Sequence, residues 1–287
     1  MSNPSPYAEP RLVTDLADCY FYHTMEIPGY GVVEGEWDLR KGIRAYLGNV
    51  DFRGKRVLEL GTASGFICFH MEREGADVVG YDLSEEQSWD IVPYARYPYA
   101  EFLRERKKHI RKTNNAFWLG HQAFGSRSKL VYGDVYSIPH EIGEVDITTV
   151  CSILLHVRDP FLALQRALAL TRETVIVTEG AEVINLPNPL RRLRNLLPRK
   201  LSAPPMWFAP NWRAVEPKET WWRLSPELIQ RFIGVLGFER SEVTYHYQPY
   251  RRGTLQIPLR QFTVVGHRSV PVSGVGSEVN DANSPRC

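Results

Sequence analysis

The chain has 287 residues, of which 43% are hydrophobic and 24% are charged, and its formal net charge is +2. This composition is typical of a globular protein and excludes a strong overall attraction to nucleic acid or to a membrane surface. The length allows one large domain with additions, and no apolar run is long enough to span a membrane.

The N-terminal region is predicted to form a lid. Its first residues, MSNPSPYAEP, lack the basic and apolar blocks of a signal peptide, so we expect a cytoplasmic protein. An aromatic cluster then precedes a short amphipathic helix at about residues 42–47. We interpret residues 1–50 as a helical lid on a domain that covers residues 51–268. Within the stretch GEWDLR, Trp37 and Arg40 either close over a ligand or only pack within the lid.

The stretch VLELGTASGF, residues 57–66, predicts a strand, a glycine-spaced turn and a helix. Gly61 and Gly65 let the backbone turn sharply and approach a ligand without a Cβ in between. Glu59 would repel a diphosphate but attract an ammonium or a sulfonium. The turn therefore favours a cationic nucleoside, and the alternative is an ordinary turn whose glycines only shape the backbone.

The next strand, VVGYDLS, ends at Asp82, where a carboxylate can bind the two hydroxyls of a ribose. Further strands are predicted in SKLVYGD, EVDITTVCS and TVIVTEG, with a helix in PFLALQRALAL between the last two. This alternation predicts an α/β fold with a doubly wound parallel sheet. A helix in SPELIQRFIGVLGF and two strands, FERSEVTYHY and LRQFTVVGH, then predict a terminal antiparallel hairpin.

Three segments lie outside this core. Insertions at about residues 85–128 and 185–222 are rich in aromatic residues and proline, which favours a cap over a substrate, although they can also be cores of their own. Residues 269–287 are small, polar and aperiodic and are predicted to be a disordered tail.

The order of these motifs resembles that of the class I S-adenosylmethionine-dependent methyltransferases. The motifs LELGTASG, YDLS, YGDVYSIP and VDITTVCSILLHVRDP carry the resemblance from about residue 55 to residue 179. More narrowly, GEWDLR, GKRVLELGTASGF and ILLHVRDP are similar to the branch of the tRNA wobble-uridine 5-oxyacetic acid methyltransferases and uncharacterised bacterial relatives. Those tRNA enzymes have a tyrosine before the histidine, where this chain has Leu155. The resemblance implies a Rossmann-like sheet of seven strands and S-adenosyl-L-methionine as the cofactor.

The resemblance also implies how the cofactor is bound. Glu59 would attract the methionine ammonium, and Asp82 would hold the ribose hydroxyls. Asp134 would accept the adenine amine, unless it is only a turn residue after its strand. The remaining predicted cofactor contacts come from the glycine loop, the adenine pocket and the end of the fourth strand: Gly61, Thr62, Ala63, Gly65, Leu83, Val135 and Cys151.

Candidate catalytic residues are expected at the carboxyl ends of the strands. Methyl transfer from a sulfonium needs alignment and exclusion of water, and it needs a base only when the acceptor must lose a proton. His156 has a suitable pKa for that base, or it fixes the loop before the helix that starts at Asp159 and Pro160. Glu179, at the end of the VIVTEG strand, is the second candidate, as a base or as an anchor for a substrate hydroxyl or amine.

We therefore expect a methyltransferase that acts on a hydroxyl or amine of a small molecule, such as a sugar or specialised metabolite. Two basic runs, FLRERKKHIRK and LRRLRNLLPRK, leave an RNA methyltransferase as an alternative, although solvated helix faces explain them more simply. A non-catalytic S-adenosylmethionine-binding protein is the third hypothesis. No membrane partner is expected, and the oligomeric state is not indicated.

Metal and disulfide sites are not expected. The four cysteines, Cys19, Cys68, Cys151 and Cys287, form no C-x-x-C pair, which predicts reduced thiols. No spacing of histidine, cysteine and carboxylate residues is typical of a metal site, so we predict metal independence.

Overall fold

The computed structural model describes residues 5–181 and 206–269. None of the helices in these two stretches combines the length and the apolar character needed to cross a bilayer.

The strands, in chain order, are β1 (Met25–Ile27), β2 (Gly31–Val33), β3 (Arg56–Leu60), β4 (Asp77–Asp82), β5 (Lys129–Tyr132), β6 (Val145–Cys151), β7 (Thr171–Gly180), β8 (Met206–Phe208), β9 (Trp222–Leu224), β10 (Arg240–Arg252) and β11 (Leu255–His267). The α-helices are α1 (Ile43–Tyr46), α2 (Phe66–Arg73), α3 (Tyr99–Phe124), α4 (Pro160–Leu168) and α5 (Pro226–Val235). Single 3-10 turns lie at Leu16–Asp18, His140–Ile142 and Leu154–His156.

Seven strands form the central sheet, in the order β10-β11-β7-β6-β3-β4-β5. The five strands from β7 to β5 are parallel to one another, whereas β11 is antiparallel to β7 and to β10. All seven residues of β6 are buried, as expected of a strand in the middle of a sheet with both faces covered. The predicted fold class, a doubly wound sheet with a terminal antiparallel hairpin, is confirmed.

The strand order reverses at β3, which pairs with β4 on one side and with β6 on the other. In this class of sheet, ligands bind where the order reverses, outside the carboxyl ends of the strands. Glu59 of β3 lies between Gly80 of β4 and Thr149 of β6. The topology thus places the predicted site residues of three strands at one edge of the sheet.

The N-terminal region is less helical than predicted. From residue 5, where the described part begins, to residue 50 it contains one 3-10 turn, the hairpin β1–β2 and the four-residue helix α1. Isolated bridges join His23 to Trp37 and Trp37 to Tyr250 of β10. The region thereby extends the terminal hairpin, because its backbone groups pair with those of β10. The role of this region as a lid stays a prediction, as do the predicted domain boundaries.

Much of the first insertion is the 26-residue helix α3, which connects β4 to β5. Its second half is buried at Asn114, Phe117 and Trp118, and its first half carries most of the basic run. The described part of the second insertion contains the strand pair β8–β9. The predictions for residues 182–205, including the second basic run, and for the tail from residue 270 lie outside the described residues.

Candidate active site

Glu59 lies beneath the glycine loop with only 1% of its surface exposed. Its Oε2 accepts a hydrogen bond from the Thr62 hydroxyl at 2.8 Å, whereas Oε1 has no partner among the described residues. Burial, together with the nearby Asp82 carboxylate, raises the pKa of Glu59 to about 8. A buried carboxyl group with an unpaired oxygen is costly on its own. This group is therefore suited to a ligand that brings a positive charge or a hydrogen-bond donor.

The glycine loop is held in a strained left-handed conformation. Gly61 has φ 75°, Ala63 has φ 49° and Gly65 has φ 86°. A Cβ at Gly61 would lie 2.0 Å from Cδ1 of Ile153, so a larger residue there would require the Ile153 side chain to move. Positive φ at the non-glycine Ala63 is uncommon, and such strain is concentrated at ligand-binding sites. The loop ends at Gly65, which precedes the first residue of α2.

Asp82 is fixed against this loop. Its Oδ2 accepts a hydrogen bond from the Ala63 amide and its Oδ1 accepts one from the Leu83 amide, both at 2.7 Å. Burial raises the pKa of Asp82, and these two amides oppose the rise. The Leu83 carbonyl in turn accepts from Nδ2 of Asn114 on α3 at 3.1 Å. Asp82 and Leu83 therefore lie beside the loop in a defined orientation.

Asp134 and Val135 follow β5 and are partly buried. The Asp134 carbonyl accepts a hydrogen bond from the Tyr81 hydroxyl at 2.7 Å, and its carboxylate accepts from the Tyr136 amide at 2.8 Å. The second contact closes an Asx-type turn, so the Asp134 side chain stabilises the turn after its strand, which was the alternative to binding the adenine amine. One contact of this kind leaves the other carboxylate oxygen for a ligand, so the two roles are compatible.

Trp37 and Arg40 differ in their surroundings. The Trp37 indole donates a hydrogen bond to the Tyr22 hydroxyl at 3.2 Å, and its ring lies 4.8 Å from the ring of Tyr250. The Tyr22 and His23 amides donate to the Ser64 hydroxyl in the glycine loop, at 3.2 and 3.4 Å. Trp37 thus belongs to a segment that contacts the loop.

The Arg40 guanidinium instead pairs with Asp38 at 2.8 Å and is exposed. The structure does not bring this side chain to the glycine loop, because the carboxylate two residues away binds it at the surface.

Cys151 ends β6 next to Glu59 and Glu179, and burial raises the pKa of its thiol, so it is protonated at neutral pH. The following residue, Ser152, has φ 56°. Its hydroxyl lies 3.3 Å from that of Tyr46, whose pKa is raised by burial. Cys151 is therefore an uncharged side chain at the end of β6, and the hydroxyl of Ser152 lies directly after it.

Glu179 is engaged with the backbone of the next loop. It is 3% exposed, and its Oε1 accepts a hydrogen bond from the Leu154 amide at 2.8 Å. Burial raises its pKa to about 8, while hydrogen bonds from the amides of Ile153, Leu154 and Leu155 oppose the rise. This carboxyl group fixes the turn that carries His156. Its contacts are those of a positioning residue, whereas the sequence predicted a base or a substrate anchor.

His156 ends that turn and is partly buried. Its Nδ1 is hydrogen-bonded to the backbone carbonyl oxygen of Glu219. Burial lowers the pKa of His156, and Glu219 opposes this effect through the hydrogen bond and through its charge. A histidine that is neutral near pH 7 can accept a proton, so the loop-fixing role does not remove the role as a base.

A methyltransferase-domain family matches residues 36–200, more than half of the chain. The chain belongs to this family. The match includes Trp37 and β3 to β7, so it covers all of the strand ends described above.

One solved structure shares this fold, and two solved methyltransferases are similar to the chain over most of its length. The N-terminal domain of EvdMO1, crystallised with SAH (S-adenosylhomocysteine) and D-fucose, is 17% identical, with 88% of this chain and 92% of that one covered and a TM-score of 0.51. Magnesium protoporphyrin IX methyltransferase from Synechocystis PCC 6803 with bound SAH is 12% identical, with 79% and 80% covered and a TM-score of 0.45. A Burkholderia thailandensis 1,6-didemethyltoxoflavin-N1-methyltransferase is 13% identical, with 80% of this chain and 78% of that one covered and a TM-score of 0.46. The EvdMO1 domain thus shares the fold of this methyltransferase.

Several residues around the site had no signal in the sequence. Ser64 is part of the recognisable loop, but its contacts with Tyr22 and His23 are not local. Glu219 and Arg106 come from two separate insertions and meet only in the folded chain. Within the described residues, no group of three or more histidine, cysteine or carboxylate side chains is arranged to hold a metal ion, and metal independence stays a prediction.

Proposed function

We propose that this protein is an S-adenosyl-L-methionine-dependent methyltransferase that acts on a hydroxyl or amine of a small molecule. The observation that carries the proposal is the unpaired, buried Oε1 of Glu59 beneath a glycine loop whose Ala63 amide is bound by Asp82. Membership of the methyltransferase-domain family supports it.

The residues fit the cofactor in charge as well as in position. Glu59 has an acceptor without a donor, and the methionine ammonium would supply both a donor and a compensating positive charge. Asp82, oriented by two backbone amides, would accept from the ribose hydroxyls. Leu83 and Val135 would bound the adenine, and Asp134 would accept from its amine. The loop from Gly61 to Gly65 would lie against the amino-acid part.

When bound, S-adenosylmethionine supplies an electrophilic methyl group. The chain itself has to orient the acceptor, exclude water and take up a proton when the acceptor is a hydroxyl. His156 is the proposed base, because it is neutral near pH 7 and its Nδ1 is already occupied, which leaves Nε2 for the acceptor. Glu179 positions the turn that carries it.

A small acceptor is favoured over RNA by what the basic run on α3 contacts. Arg104, Lys108 and Arg111 pair with Glu101, Glu105 and Glu85, respectively. Lys107 and Lys112 donate to the backbone carbonyls of Glu86 and Ala17. Phosphate binding needs cations that are free to displace the counterions of the nucleic acid, and these five have partners within the chain. The narrower resemblance to the tRNA enzymes therefore does not determine our choice of acceptor.

The acceptor class that we propose is a sugar or a specialised metabolite. Aromatic rings and carboxylates lie in and beside the N-terminal segment that contacts the glycine loop: the Trp37 and Tyr250 rings pack at a tilt, and the Tyr20 hydroxyl donates to Glu36. Such combinations suit molecules with apolar faces and several hydroxyls or amines. The shared fold with the EvdMO1 domain, a structure obtained with D-fucose, supports this choice only as an analogy.

Calorimetric titration with S-adenosylmethionine and S-adenosylhomocysteine tests the proposal. The wild type should bind both at micromolar concentration. Glu59→Gln should bind about 10–100-fold more weakly, because a charge-assisted hydrogen bond is lost. Glu74→Gln, at the exposed end of α2, is the matched control and should bind as the wild type does. A folded wild type that binds neither compound would refute the proposal.

A further inference from the structure

The structure shows an interaction of the proposed base that the site motifs do not include. The segment that follows Pro217 runs beside the turn of His156, and two hydrogen bonds join them. The His156 Nδ1 contacts the Glu219 carbonyl oxygen, and the Trp221 amide donates to the Leu155 carbonyl at 2.8 Å. The contacts on both sides of the turn fix the imidazole relative to the strand ends.

The Glu219 contact determines which nitrogen carries the proton. A carbonyl oxygen can only accept a hydrogen bond, so Nδ1 of His156 must be the donor. In the neutral ring, Nε2 then carries the lone pair. As the acceptor exchanges a proton for a methyl group, the proton passes to Nε2 and the sulphur leaves as a neutral thioether. A second residue that fixes the tautomer of a base is a recurrent feature of such sites.

The side chain of Glu219 is held in turn. Its Oε1 pairs with Nη1 of Arg106 on α3 at 2.9 Å. The Arg106 guanidinium lies 5.6 Å from the ring centre of Trp89 and 5.3 Å from that of Phe102. These contacts favour one orientation of the ion pair, although each of its partners is about a third exposed. The Glu219 carboxylate, whose charge acts on the imidazole, is therefore held in place by a cation from a different insertion.

We propose that Glu219 is the positioning residue of His156: its carbonyl fixes the Nδ1–H tautomer, and its carboxylate, held by Arg106, stabilises the imidazolium that forms when Nε2 takes a proton. This inference rests on the proposed function of His156 as the base. Arg106 belongs to the first insertion and Glu219 to the second, so residues of both insertions would together orient and stabilise His156.

Other charged groups around the turn must be considered in any titration. Glu179 lies under the turn and contacts its amides, and Glu36 lies near Arg106 and Glu219. Asp90 accepts a hydrogen bond from the Arg158 amide, and Arg158 lies over the ring of Trp221. These groups are the same in the variants below, so differences between variants report on Glu219 and Arg106.

Nuclear magnetic resonance of the full chain labelled with ¹⁵N-histidine tests the proposal without an acceptor. The His156 signal is identified by its loss in His156→Gln. At pH 8 the wild type should show a protonated Nδ1 and a bare Nε2. In titrations, Glu219→Gln should lower the pKa of His156 and Arg106→Met should raise it, each by about half a unit or more. Arg104→Gln, an exposed arginine on the same helix, should leave it unchanged.

Opposite shifts are not expected from a general loosening of the structure. A protonated Nε2 in the wild type, an unchanged pKa in Glu219→Gln, or shifts of the same sign in both variants would each overturn the proposal. Retained binding of S-adenosylhomocysteine shows that each variant is folded. If the wild type does not bind it, the proposed function fails, while the spectra still decide the tautomer and the shifts.

Discussion

The Ala63 amide donates a hydrogen bond to the Asp82 carboxylate across 2.7 Å, joining the glycine loop to the end of the neighbouring strand. This contact fixes the loop in its left-handed conformation and orients the carboxylate at the same time. The Leu83 amide binds the other carboxylate oxygen, also at 2.7 Å. Two sequence motifs separated by about twenty residues thus form a single preorganised unit.

Asp82→Asn should disrupt this unit. The asparagine amide would direct an N–H toward one of the two backbone N–H donors, so one hydrogen bond must be lost. We expect binding of S-adenosylmethionine to weaken about tenfold or more, as measured by calorimetry. Asp77→Asn is the matched control at the other end of β4, where Asp77 is exposed and pairs with Arg56. Equal binding by both variants would show that Asp82 does not contribute.

Gly61→Ala should destabilise the protein more than Gly125→Ala. Both glycines have positive φ, 75° and 59°, so both substitutions incur backbone strain of about 1–2 kcal/mol. Only the new Cβ at Gly61 would meet another atom, Cδ1 of Ile153 at 2.0 Å. Moving the Ile153 side chain away from its preferred rotamer should add about 1 kcal/mol. Urea unfolding of both variants measures the difference, and equal losses of stability would contradict this account.

The stability of the ligand-free protein should depend on pH through Glu59. Its pKa is raised to about 8 in the folded state, against about 4.3 in an unfolded chain. Between these values the folded state binds more protons, so the free energy of unfolding falls as pH rises through this range. In Glu59→Gln this contribution is absent.

The variant should therefore melt at a higher temperature than the wild type at pH 8.5 and at nearly the same temperature at pH 5. Thermal unfolding of both proteins across this range gives the comparison. Glu179 titrates in the same range in both proteins, so its effect cancels in the difference. A difference in melting temperature that does not change with pH would show that Glu59 is not the group responsible.

Glu179→Ala should destabilise the fold by about 1–3 kcal/mol, because the amide of Leu154 and its neighbours would lose a buried acceptor. Glu179→Gln keeps an accepting oxygen and should lose less. Glu173→Ala is the control on the same strand, where an exposed pair with Lys55 contributes about 1 kcal/mol or less. Denaturant unfolding compares the three, and a loss in Glu179→Ala no larger than in the control would exclude the positioning role.

The sequence predicted the fold and the proximity of Glu59 to Asp82 because both depend on local patterns. Glu59 lies one residue before the end of a buried strand and Asp82 ends the next one, and parallel strands bring such ends together. The surroundings of His156 were not predictable in the same way. Its partner Glu219 lies 63 positions away, and Arg106 and Glu219 are 113 positions apart. Their meeting depends on the direction of a 26-residue helix, which no short motif encodes.

For Glu179, the sequence predicted the position of the residue but not the direction of its side chain. Its position at a strand end was correctly recognised, yet the sequence does not tell whether such a carboxylate faces the ligand or the backbone. The sharp turn after β6, with Ser152 at φ 56°, directs the amides of residues 153–155 toward it. The direction of the Arg40 side chain was not predictable either, because Asp38 binds its guanidinium at the surface.

The most direct test follows the methyl group itself. The purified protein is incubated with isotope-labelled S-adenosylmethionine and a cell extract separated into small-molecule and RNA fractions. We predict label in the small-molecule fraction, insensitive to ribonuclease and strongly reduced with His156→Gln. Label that appears only in RNA and disappears with ribonuclease would contradict the proposed acceptor class. Tight cofactor binding without transfer to any fraction would contradict the enzymatic function.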